Sequence, residues 1–207
     1  MTTPMAPDAS LCVVMHLSDL HFGSPSSLSP MKAAEFLIHD VKKQYERDNE
    51  THSGPETGLQ LPDVCLITGD LAATGREYEL VEQFLHIVCQ RLFDGDVSRI
   101  VIIPGNHDVD WAISRDCYTE IDFSEERFGE TAKPESAFKK LRDGERIHLF
   151  KRREDLYQSR LGRFSSFYDR FYGGRQSFPL TSSLSFVALL QSEWVNMTVG
   201  SLDSTCC

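Results

Sequence analysis

Three short stretches stand out for the chemistry their side chains could do: Asp19-Leu20-His21, Gly69-Asp70 and Gly105-Asn106-His107-Asp108. Carboxylate oxygen, imidazole nitrogen and amide oxygen make a mixed donor set that suits manganese, iron or zinc without choosing among them. Asp70 follows a glycine, which lets the backbone approach a ligand closely, so it is the carboxylate best placed to bridge two ions. Asp19 and His21 lie two positions apart, on one side of the chain if the backbone stays extended, and can chelate a first ion. Asn106 offers a neutral carbonyl oxygen to a second. Singly these patterns are weak, because an isolated Asp-x-His reads as a loop cap and Gly-Asp as an ordinary turn. Their weight comes from where they stand.

Each stretch closes an apolar run: 11–17, 64–67 and 100–103. Such runs read as buried strands. Between them, Ala34, Leu37, Ile38, Val41 and Tyr45 recur at helical spacing through 31–46, and Tyr78, Val81, Leu85, Val88 and Leu92 through 75–92, with Gly95 just past the end. The order βαβαβ predicts the α/β class, with a parallel sheet and helices packed on it. Loops at the carboxyl ends of neighbouring parallel strands converge, which brings all three stretches to one place. His16, inside the first run, reads as a hydrogen-bonded core or ligand-supporting residue.

Beyond Trp111 the texture changes to polar and aromatic, predicting a helical insertion or cap over about 111–174 that ends at Gly173-Gly174. Within it Lys151-Arg152-Arg153 opens a basic region that continues through Arg160, Arg163 and Arg170 to Arg175. It reads first as a solvated helix face paired with Glu154, Asp155 and Asp169, and second as a phosphate-facing rim. A fourth strand is predicted at 184–190, and 191–207 shows no periodicity. With 31 acidic against 21 basic residues the net charge is −10 at pH 7, which repels polyanions, so nucleic acid could bind only through that basic region. No apolar run reaches membrane-spanning length and the N-terminus lacks a secretory pattern; residues 1–10 are expected to be a disordered N-terminus. The six cysteines show no metal-site spacing, and Cys12, Cys65 and Cys89 fall in apolar segments; reduced thiols in a cytoplasmic protein are the expectation.

The ordered set of three motifs resembles the calcineurin-like metallophosphoesterases, closely over about 11–111. The resemblance implies a sandwich of two sheets flanked by helices, two divalent metal ions, and hydrolysis of phosphoester bonds. It makes Asp19, His21, Asp70 and Asn106 the metal ligands. His107 then faces the substrate and protonates the leaving group, with Asp108 in a supporting role. Protein Ser/Thr phosphatases of this superfamily carry an aspartate three positions after the Gly-Asp aspartate, where Ala73 stands here. Gly69-Asp70-Leu71, then Gly75 and Glu77-Tyr78, look more like the phosphodiesterase branch, implying a phosphodiester or nucleotide substrate.

Family members also carry a lone histidine and a Gly-His-x-His segment downstream, whereas no histidine follows His148 here. The predicted strands supply about one sheet. The expectation is a partial sandwich, a phosphoesterase domain over 11–207 that is incomplete at its C-terminus. Either a partner chain or second copy covers the open face, or the chain is a catalytically deficient module or fragment serving interaction. A doubly wound nucleotide-binding domain is excluded by the lack of a glycine-rich phosphate loop after the first strand.

Overall fold

The computed structural model describes residues 12–51, 61–121, 138–143, 146–178, 185–191 and 196–202. Strands β1 (Val14–Leu17), β2 (Val64–Thr68) and β3 (Ile100–Ile103) form a parallel sheet in that order. Helix α1 (Pro30–Thr51) links the first pair and α2 (Tyr78–Leu92) the second. Both crossovers step in the same direction, so their common handedness puts both helices on one face, where they pack side by side. In register, Met15 lies beside Cys65 and Cys65 beside Ile100; Leu17 lies beside Ile67 and Ile67 beside Ile102. Met15, Cys65, Ile67, Ile100 and Ile102 are buried in one core with Ala34 and Ile38 of α1 and Val81, Leu85 and Val88 of α2. Each large aliphatic side chain buried this way contributes about 1.5–3 kcal/mol.

The other face is different. Val14 is 42% exposed, and His16 and Thr68 are exposed and paired by a 2.7 Å hydrogen bond. His16 is therefore hydrogen-bonded as expected but is not a core residue. The α2 helix begins at Tyr78 rather than 75 because Gly75 takes a left-handed φ of +71°.

Among the described residues of 111–174, strands stand between the helices at the two ends, where the sequence predicts a helical insertion. After α3 (Trp111–Asp116) come β4 (Tyr118–Ile121), β5 (Phe138–Asp143) and β6 (Arg146–Arg152), an antiparallel sheet in the order β4-β6-β5. The physical reason is a period-two alternation, Arg146-Ile147-His148-Leu149, which a strand satisfies and a helix does not. His148 lies on β6, beside Leu141 of β5. Helices α4 (Glu154–Ser159) and α5 (Gly162–Phe171) follow.

Phe164, Phe167, Tyr168 and Phe171 form the buried stripe of α5 at helical spacing. That stripe meets α2, where the Tyr78 and Phe167 rings stack at 5.0 Å. Just beyond α5, the Tyr172 hydroxyl donates to the Ile100 carbonyl of β3. The basic region is engaged by acids of other elements more than by its own: Arg152 pairs with Glu154, but Arg163 pairs with Asp110 and Arg170 with Glu82.

A hairpin of β7 (Ser185–Gln191) and β8 (Asn196–Leu202) completes the order, so the last stretch holds a strand that its sequence did not advertise. The N-terminal ten residues and Cys206-Cys207 lie outside the described residues. No helix among the described residues is long and apolar enough to cross a membrane.

Candidate metal centre

Past their last paired residues, β1 and β2 stay together. The Asp19 amide donates to the Gly69 carbonyl at 3.2 Å, His21 to the Asp70 carbonyl at 2.9 Å and Phe22 to the Leu71 carbonyl at 2.9 Å. This continued ladder carries Asp19 and His21 alongside Asp70. The backbone there is not extended, as a simple chelate would need: φ is +56° at Asp19, +44° at His21 and +54° at Asp70. Three side-chain-bearing residues in the left-handed region cost about 1 kcal/mol or more each, and such strain concentrates at functional sites. Even so, Asp19 Oδ1 lies 3.8 Å from His21 Nε2.

The third loop closes on the second through two glycines. A Cβ on Gly69 would stand 2.6 Å from the Gly105 Cα, and one on Gly105 would stand 2.3 Å from Asp70 Oδ1. With both side chains missing, the His107 amide donates to Asp70 Oδ1 at 2.9 Å. His107 Nδ1 lies 3.0 Å from the Ala73 carbonyl; a carbonyl can only accept, so Nδ1 carries the proton and Nε2 is left open. The His21 and His107 rings meet edge to face at 4.6 Å.

Donor atoms of His21, Asp70 and His107 all lie within 4.8 Å of one another. Asp19 adjoins this group through His21, while Asn106 is exposed one position before His107. Neutral nitrogen and anionic oxygen in this span fit a divalent cation. His107 thus shares the same span as His21 and Asp70.

Beneath the cluster, Asp108 is fully buried and accepts N–H groups from Gly105 at 2.8 Å, Ala72 at 3.1 Å and Leu71 at 3.3 Å. Burial pushes its carboxyl up to about 6, against the pull of those three donors. The Tyr78 hydroxyl donates to the Asp108 carbonyl at 2.8 Å, and burial together with that carboxylate raises the phenol well above its usual range. One side chain therefore ties the second and third loops to the start of α2.

Two residues on, Asp110 is also buried, but its partners carry charge. It accepts from Arg76 at 3.2 Å, from Arg163 at 3.1 Å and from the Ala112 amide at 2.9 Å as the cap of α3. Burial alone would raise this carboxyl; the Arg76 guanidinium and the α3 amides hold it below the usual range. Its own amide donates to the Arg160 carbonyl at 2.8 Å, joining the insertion to the site.

The Ala73 carbonyl, Asp110 and Trp111 did not emerge from the sequence as site residues. An aspartate just before an apolar-periodic segment is a helix-start signal and could have found Asp110. A parallel sheet whose carboxyl-end loops gather carboxylate and imidazole donors defines an α/β domain with a candidate metal centre. Residues 12–187 match the family model of the calcineurin-like phosphoesterases, and the chain belongs to that family. No match is found among curated proteins or among solved structures.

Proposed function

We propose that the chain hydrolyses phosphoester bonds in a metal-dependent reaction, with a phosphodiester or nucleotide as substrate. The observation that carries this is the convergence of His21, Asp70 and His107 within 4.8 Å in a member of this family. Asp19, His21, Asp70 and Asn106 would hold two divalent ions, of manganese, iron or zinc. Ions at such a centre neutralise phosphoryl charge and lower the pKa of bound water. The chain's own part is geometric: strained backbone at Asp19, His21 and Asp70 presets the donors, and Asp108 holds the loops beneath them.

His107 is the catalytic group. With Nδ1–H on Ala73, its Nε2 is the atom that delivers a proton to the leaving alkoxide once the ring is protonated. A main-chain carbonyl at 73 orients the ring without adding the carboxylate found in the Ser/Thr phosphatases, which supports the phosphodiester reading. Cys65 and Cys89, buried and unpaired, support a cytoplasmic setting.

The test is His107→Gln in metal-loaded protein. Turnover of a diester with an alkyl leaving group should fall about 100- to 10,000-fold, while a p-nitrophenyl diester, whose leaving group departs without a proton, should lose much less. Metal content should not change. Loss of metal together with activity would make His107 a ligand instead, and equal loss on both substrates would remove the proton-delivery role.

A further inference from the structure

Trp111 is 43% exposed at the edge of the metal cluster, an unusual place to leave the largest apolar side chain in contact with water. Its indole lies 5.1 Å from the His107 imidazole, centroid to centroid, at an interplanar angle of 44°. It is not loosely held. Trp111 is the first residue of α3, and Asp110 before it caps that helix, receives both guanidiniums and anchors its amide on Arg160. Arg76 and Arg163 thereby stand at the same edge, 50% and 57% exposed in their side chains. The backbone that carries the indole is thus anchored and the His107 ring lies beside it, so an aromatic face is presented at a set place next to the cluster.

Resting on the phosphodiesterase reading above, we propose that Trp111 is a specificity-determining residue: a stacking platform for a planar aromatic group carried by the phosphoester, a nucleobase being the biological instance. The phosphoryl group lies at the His21–Asp70–His107 cluster, the planar group lies over the indole beside His107, and Arg76 and Arg163 border it. This selects nucleotide-like esters over esters of sugars or glycerol without any base-specific hydrogen bond.

The experiment uses full-length, zinc-loaded Trp194→Phe protein, in which Trp111 is the sole tryptophan, titrated with adenosine monophosphate and with ribose phosphate. The two ligands share a phosphate and a ribose and differ by the base. The nucleotide should quench Trp111 and bind about ten-fold tighter than ribose phosphate. By calorimetry that preference should disappear in Trp111→Leu and persist in Trp111→Phe, which keeps a planar ring. Equal affinity for the two ligands, a preference that survives in Trp111→Leu, or no binding of either would overturn the proposal. The phosphodiesterase reading fails on a separate measurement, the absence of metal-dependent turnover, which does not enter this titration.

Discussion

Asp108 and Tyr168 are both fully buried, and the regions around them are assembled in opposite ways. Around Asp108, backbone amides of two loops converge on one carboxylate, glycines allow contacts that any Cβ would block, and the backbone at Asp19, His21 and Asp70 beside it is strained. Around Tyr168, five other aromatic rings pack against one another: Phe164, Phe167, Phe171, Tyr172 and Phe178. A polar network of the first kind tolerates almost no change, since a lost partner leaves buried groups unsatisfied. Apolar packing accepts rings and aliphatics of similar volume. The site is therefore held by identity and the scaffold by bulk.

The contrast is broken most severely at Gly105. In Gly105→Ala the new Cβ would meet both the Asp70 carboxylate and its amide, so the strand-end loops must separate. A loss of about 3 kcal/mol or more in urea denaturation is expected, together with loss of stoichiometric metal binding. Next is Asp108→Asn, nearly the same shape, which turns an amide NH2 toward N–H donors that need an acceptor. It should cost about 2–4 kcal/mol, and metal affinity should fall with it. In the aromatic region, Phe164→Leu should cost only about 1–2 kcal/mol and leave kcat and KM near those of the parent. A large activity loss there would erase the distinction between the two regions.

The smallest effect belongs to Asp110→Asn. Because the folded protein holds this carboxyl below its usual range, its stabilisation is present above the unfolded value, about pH 4, and is lost as pH falls through the depressed one. The variant should be about 1 kcal/mol less stable at neutral pH and should show a shallower acid limb below about pH 4 in thermal melts.

The same contrast decides what the sequence made legible. Identity-dependent features were readable: three motif stretches at three strand ends, the βαβαβ order, and the α2 stripe from Tyr78 to Leu92, which the structure buries. What bulk decides was readable only as texture. The aromatic texture of 111–174 suggested a helical insertion, and it concealed β4, β5 and β6 between the helices. One local signal was present there, the period-two alternation in 146–149. The fine geometry of the site was not legible at all. Asp19-x-His21 suggested an extended chelate, whereas the loop pairing with Gly69 and Asp70 imposes left-handed backbone and reaches the same closeness by another route. A main-chain acceptor such as the Ala73 carbonyl has no side-chain signature to read.

The central claim is that the strand-end loops form a metal-dependent phosphoesterase site organised by Asp70. The most direct test is hydrolysis of bis(p-nitrophenyl) phosphate by full-length protein and by Asp70→Asn, against added manganese, with metal content determined on the same samples. Turnover that rises with metal in the parent and falls at least about 100-fold in the variant is the predicted result. A parent that binds metal but turns nothing over, or a variant that keeps its activity, would contradict it.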